Sequence, residues 1–282
     1  MAGYLMKITV AHSPDSDDAF MHYGLASGKV PTDGIEFGHL LADIETLNRA
    51  AFEGKYEVSA VSFNAYAHLT DKYLLLPHGS SMGDDYGPIV VARTDGPSST
   101  KGIKVAVPGE LTTSFMALRI YDPDVDYVVM PFDKIQDAVK NGEVPAGLLI
   151  HEGQLTYGDR GLHLWADMGE WWHAETGLPL PLGGNVVRRD LGDELLRAIA
   201  RDMKASIEYG LAHRAEALRH AQGFSRGLDA IRTDRFIGMY VNDYTVDYGP
   251  RGRKAVVELF QRGHRAGLIP GPIDVTFLSA NP

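Results

Sequence analysis

The chain has 282 residues, 44% of them hydrophobic, with 27 Lys+Arg against 37 Asp+Glu for a formal net charge of -10. That acidic balance argues against nucleic acid, whose phosphates need a basic face, and weakly against an anionic membrane surface. With no cysteine there is no disulfide frame, thiol nucleophile or Cys-based zinc or iron–sulfur site.

The first ten residues carry no basic region followed by a long apolar core, so no signal peptide is expected. No apolar run nears the ~20 residues that span a bilayer. A cytoplasmic α/β protein is the expectation, of a length that suits two lobes.

Strand and helix signals alternate from the start. A strand over 7–11 runs into His12-Ser13-Pro14-Asp15-Ser16-Asp17-Asp18, and an amphipathic helix follows over 17–27. Ser16 or Asp15 suits its N-cap, and acidic residues suit its first turn. A strand over 35–40 precedes a helix over 44–53, capped by Asp43 and closed by Gly54. A strand over 58–61 follows, with Ser62 placed to cap a helix to about residue 70. A strand over 73–77, a glycine-rich flexible loop over 79–87 and a strand over 89–93 come next.

The stretch 94–102 is the clearest linker signal. A second βα series follows it: strands over 104–107, 127–130, 146–151 and 162–166, with helices over 113–121, 134–141 and 168–176. The Gly/Pro-rich stretch 177–184 is a second break, before a strand over 185–188. Helices over 194–211, 215–221, 228–241 and 252–266 complete the chain.

The two breaks bracket a segment with its own strands. The expected layout is an α/β lobe from 1–94 plus 189–282, with an inserted α/β lobe over 95–188. That is the layout of a two-lobed, type II periplasmic-binding-protein-like fold, with mixed β-sheets flanked by helices. Its ligand cleft lies between the lobes, a preferred place for small-molecule sites.

Three helix starts follow buried strands: Ser13 to Asp18, Ser62-Phe63-Asn64 and Thr112-Thr113-Ser114. Free N–H groups there make a site for a carboxylate or phosphate, although plain capping uses the same residues. Ser62 and Thr113-Ser114 fall in different lobes, so together they could clamp one anion. Asp15, Asp17 and Asp18 lack the glycine and distal glutamate of a calcium loop, and no metal is expected. Ala146-Gly147-Leu148-Leu149-Ile150-His151-Glu152 reads as a buried strand ending in an imidazole. Ligands of open α/β sheets sit beyond such strand ends. A histidine there is a strand cap, a proton-transfer group or a metal ligand, and the residues themselves leave this open. Trp171, Trp172, Tyr240, Tyr244 and Tyr248 read as packing.

The run Leu149-Ile150-His151-Glu152, with Thr156-Tyr157 and Gly161-Leu162, resembles the 1,4-dihydroxy-6-naphthoate synthases of the futalosine route to menaquinone. So does Gly169-x-Trp171-Trp172-x-x-x-Thr176-Gly177-Leu178-Pro179-Leu180-Pro181-Leu182-Gly183, followed by Arg188-Arg189-Asp190-Leu191-Gly192. Asp43-x-Glu45-Thr46-Leu47-Asn48, Val105-Ala106-Val107-Pro108-Gly109 with Thr112-Thr113, and Tyr240-Val241-Asn242 extend the likeness along nearly the whole chain. The resemblance implies a two-lobed lyase that splits cyclic dehypoxanthinyl futalosine into 1,4-dihydroxy-6-naphthoate and a dihydroxyacetone fragment. It implies a histidine proton acceptor, which falls on His151. It also implies contacts to a small anionic, carboxylate-bearing substrate from Ala60, Val61, Ser62, Thr113 and Ser114. Deprotonation by His151 would start a carbon–carbon cleavage whose product gains an aromatic ring, so no cofactor is expected. A solute-binding protein of the same fold and a chorismate dehydratase of the same pathway are the alternatives. Members usually read Ser-Pro-Cys-Pro-Asn-Asp-Thr-Phe where this chain has Ser13-Pro14-Asp15-Ser16-Asp17-Asp18-Ala19-Phe20. An added negative charge there opposes an anionic ligand, which leaves room for a diverged substrate.

Overall fold

The computed structural model describes residues 6–94 and 102–278. Nearly all of the linker expected over 94–102 lies outside them.

The first stretch runs β1 (Met6–His12), α1 (Ser16–Met21), α2 (Tyr23–Ala26), β2 (Ile35–Leu41), α3 (Ile44–Phe52), β3 (Val58–Ser62), α4 (Phe63–Tyr66), β4 (Tyr73–Leu75) and β5 (Ser81–Gly83). The middle runs β6 (Ile89–Arg93), β7 (Lys104–Val107), α5 (Thr113–Tyr121), β8 (Asp126–Val129), α6 (Phe132–Asn141), β9 (Ala146–Leu149), α7 (Gly153–Thr156), β10 (Leu162–Asp167) and α8 (Met168–Thr176). The chain then returns through β11 (Leu180–Arg188), α9 (Asp193–Ala212), α10 (Arg214–Ala221), α11 (Ala230–Tyr240), α12 (Asp243–Val246) and α13 (Gly249–Arg265).

The strands form two mixed sheets. One has the order β2-β1-β3-β11-β4, with β5 also paired to β11, and the other has the order β10-β6-β9-β7-β8. Thus β6 belongs to the second sheet and β11 to the first. The expected boundaries at 94/95 and 188/189 each fall one strand later than this exchange between sheets. The reason is local. The turn residues 84–88 make the first crossing, because the apolar run of β6 pairs antiparallel with β9. Residues 177–184, expected to be a break, are largely strand. Leu180 to Gly183 pairs with β5, and a register shift at Pro181 accommodates the missing N–H. The same pairing orders part of the 79–87 loop, where the Ser80 hydroxyl also donates to the Tyr244 carbonyl at 2.7 Å.

Helix faces follow the apolar spacing. In α6, Ile135, Ala138 and Val139 are buried, and Gly142 ends the helix at φ 76°. A Cβ on Gly147 of β9 would lie 2.4 Å from Ile135 Cγ2, so glycine lets α6 sit directly on that strand. One continuous core joins the sheets: Val61, Phe63 and Leu75 pack with Val90, Val107, Leu148, Trp172 and Phe260. Separate cores cover the outer faces, Ile8, Val10, Ile199 and Met203 on the first sheet and Val91, Ala106, Ile135 and Leu149 on the second. No helix among the described residues is long and apolar enough to cross a membrane.

Candidate functional site

A cleft with an empty volume of about 760 Å³ lies between the sheets. Its walls take Ser13 and Asp15 from the β1–α1 turn, Asp17 and Asp18 from α1, Ala60 and Ser62 from β3, and Leu182 to Asn185 from β11. The other side brings Thr112, Thr113 and Ser114 from the start of α5 and His151 and Gln154 beyond β9, and Phe236 and Tyr240 from α11 complete the lining. The structure therefore brings Ala60, Ser62, Thr113, Ser114 and His151 to one cavity. Val61 is not on that wall. Side chains alternate along a strand, and Val61, 1% exposed, points into the joint core.

The helix starts at Ser62 and Thr112 are tied together. The Asn64 backbone N–H donates to Thr113 Oγ1 at 3.2 Å, and its amide donates to the Glu110 carbonyl at 3.0 Å. Thr112 caps α5 by accepting from Phe115 N at 3.3 Å. Ser62 does not cap α4, contrary to its sequence position. Asn48 takes over both its polar groups, accepting from Ser62 N at 2.8 Å and donating to Ser62 Oγ at 3.1 Å. The first turn of α5 still presents the Thr113 and Ser114 N–H groups that a helix cannot satisfy internally.

His151 stands two residues past its strand, since β9 ends at Leu149 rather than continuing to 151. Its φ of 53° is left-handed, a costly conformation for a residue with a Cβ. The ring's Nδ1 lies 2.8 Å from Asp15 Oδ2, and the Arg226 Nη2 lies 2.5 Å from Asp15 Oδ1. Ser13 donates its hydroxyl to the same carboxylate. Phe132 packs edge-on against the His151 ring at 5.0 Å and beneath the Arg226 guanidinium at 4.4 Å. Nε2 is enclosed and has no hydrogen-bond partner. Asp15 is the N-cap residue of α1, yet its side chain makes no cap hydrogen bond, because the carboxylate is turned to these cations.

These contacts set the charges. Burial would favour a neutral imidazole, but the Asp15 charge and hydrogen bond, with Glu152 and Asp17, raise the His151 pKa to about 9. Burial works to raise Asp15 as well, and His151, Arg226 and Ser13 overcome it and hold it low. Burial and the charge of Asp15 push Asp17 up to about 6, and Asp18 rises well above the carboxylate range through burial, Asp17 and Asp15. The cleft wall is accordingly less negative than three aspartates suggest. Among the described residues, no group of three or more His, Asp or Glu side chains is placed to hold a metal ion.

Arg226 and Gln154 were not singled out from the sequence, and Asp15 and Tyr240 were given other roles. Tyr240 read as packing, yet it lines the cleft with its hydroxyl 2.6 Å from the Gln154 amide. Asp15 read as a cap. No local pattern marks Arg226. Trp172, by contrast, is packing: it is fully buried and donates Nε1–H to the Pro179 carbonyl at 3.0 Å. The glycine preceding that pair is also structural, since a Cβ on Gly169 would lie 1.9 Å from the Tyr86 carbonyl.

A family model described as menaquinone biosynthesis matches residues 8–265. A 1,4-dihydroxy-6-naphthoate synthase from Thermus thermophilus is 39% identical over 267 residues, 94% of this chain and 97% of its own. The crystal structure of protein AF1704 from Archaeoglobus fulgidus superposes with a TM-score of 0.90 at 48% identity, over 93% of this chain and 98% of that one. The Candida albicans CA3427 gene product, described as having the generic periplasmic-binding-protein fold, superposes at 0.72 and 11% identity over 99% of each chain. That distant likeness shows the two-lobed fold. The chain therefore belongs to the menaquinone-biosynthesis family, in its group of 1,4-dihydroxy-6-naphthoate synthases, which are lyases.

Proposed function

We propose that this chain cleaves cyclic dehypoxanthinyl futalosine into 1,4-dihydroxy-6-naphthoate and a dihydroxyacetone fragment, with His151 as the proton acceptor. The supporting observation is that His151, with an unpartnered Nε2, shares one cleft with Ser62, Thr113 and Ser114. The substrate carboxylate takes hydrogen bonds from the Ser62 and Thr113 hydroxyls and from the first-turn N–H groups of α5, that of Ser114 among them. His151 removes a proton to begin carbon–carbon cleavage, and aromatisation of the product ring drives the step. Nε2 is enclosed in this conformation, so opening of the cleft to admit substrate also exposes the base. The raised pKa means His151 must shed a proton before it accepts one, so the rate climbs with pH towards about 9.

The test is conversion of cyclic dehypoxanthinyl futalosine by the purified protein, followed by chromatography of the naphthoate. His151→Asn is the informative variant, because asparagine tolerates the left-handed backbone. It should lose about 10²–10⁴-fold in kcat while substrate Kd stays within about tenfold. No conversion by the wild type sinks the assignment. Full activity in His151→Asn sinks the role of the base.

A further inference from the structure

The least expected feature of the cleft is a buried carboxylate between two cations. Asp15 is 0% exposed. One of its oxygens meets His151 Nδ1 at 2.8 Å and accepts from the Ser13 hydroxyl, and the other meets Arg226 Nη2 at 2.5 Å. A carboxylate gripped on both oxygens is a rigid acceptor. The His151 ring has little freedom to leave it, with its backbone held at φ 53° and its face against Phe132.

We propose that Asp15 is a positioning residue for His151, fixing Nδ1 as the protonated ring nitrogen and leaving Nε2 as the one that exchanges a proton. The logic is that of any imidazole oriented by an acid: the hydrogen bond at one nitrogen selects the tautomer, and the other nitrogen is left basic. Arg226 acts through Asp15, holding the carboxylate ionised and in place. Asp17, Asp18 and Glu152 also face this group. Of these charges, that of Asp15 does most to hold the His151 proton. Asp15 thus also sets the pH range of the site. The inference deepens the lyase reading by assigning what controls its base.

The test reads His151 itself. The intact protein is labelled with ¹⁵N-histidine, and the His151 signals are assigned by their absence in His151→Asn. In the wild type the imidazole should titrate near pH 9, and above that pH the neutral ring should carry its proton on Nδ1. Asp15→Asn should lower the midpoint by about one pH unit or more. It should move the rising limb of kcat/KM to lower pH by the same amount, and lower kcat about tenfold or more with KM little changed. Asp15→Glu should restore part of both shifts. An Nε2–H tautomer in the wild type overturns the proposal, and so does an unmoved midpoint in folded Asp15→Asn. The tautomer measurement needs neither a folded Asp15 variant nor substrate. A failed lyase assay with the Nδ1–H tautomer present would remove the reaction but not the role of Asp15.

Discussion

Histidines lie on both sides of the segment Ser13 to Asp18, and they differ in charge: His151 is cationic and the others are neutral. On the cleft side His151 holds its proton to about pH 9. On the other side His12, His22 and His39 pack ring against ring, with centroids 4.4 Å apart for His12–His22 and 5.3 Å for His12–His39. His12 Nε2 and His39 Nδ1 are hydrogen-bonded at 3.1 Å. Here burial and the neighbouring rings push His12 down to about 4 and His22 well below the usual value. The side chains are identical, and burial pushes both towards the neutral form. The difference is a carboxylate within hydrogen-bond distance. Burial makes a histidine neutral by default, and one well-held aspartate reverses it.

The most direct way to break the contrast is Asp15→Ala, which leaves His151 and Arg226 without their counter-charge. We expect a loss of about 3–5 kcal/mol in unfolding free energy at pH 7, measured with urea. A loss under about 1 kcal/mol would mean that neither cation depends on Asp15.

The pH dependence separates the two groups by sign. The folded pKa of His151 lies above its unfolded value, so its stabilisation is complete below about pH 6.5 and is lost as pH rises to about 9. Its full size is about 3 kcal/mol. His151→Asn should flatten that alkaline loss relative to the wild type. An unchanged slope would mean that His151 is neutral at rest.

His22 works the other way. Its folded pKa is depressed, so the unfolded chain binds the extra proton and stability is lost as pH falls below about 6.5. Asp17 and Glu152, both raised, oppose this trend in the whole protein, so a single variant has to isolate it. His22→Phe should reduce the loss between pH 7 and pH 5 relative to the wild type. An acid slope as steep as that of the wild type would show that His22 is already charged.

The smallest effect serves as the control. Asp43 caps α3 at the exposed end of the same lobe, accepting from Thr46 N at 3.0 Å. Asp43→Ala should cost about 1 kcal/mol by thermal denaturation, with the pH slope between 6 and 9 unchanged.

Much of the fold was legible because its causes are local. Apolar spacing marked α6 and α9, Asp43 and Gly54 marked helix ends, and Thr112 marked the start that faces the cleft. The misreadings share one cause. Ser62 and Asp15 both sit where caps belong, but a distant Asn48 and a distant His151 claim their side chains first. Likewise, residues 177–184 look like a break until β5 supplies a partner.

By itself the sequence determined that this is a two-sheet α/β protein with hydroxyl-bearing helix starts and a histidine beyond a buried strand. Those are properties of short segments, set by period, capping and turn chemistry. Only the tertiary structure decided that the histidine is charged, which nitrogen stays unpartnered, and that Arg226 belongs to the site. Desolvation and ion pairing depend on which groups meet in a dry place. Asp15, His151 and Arg226 meet there only because β1, β9 and the approach to α11 converge on one cleft.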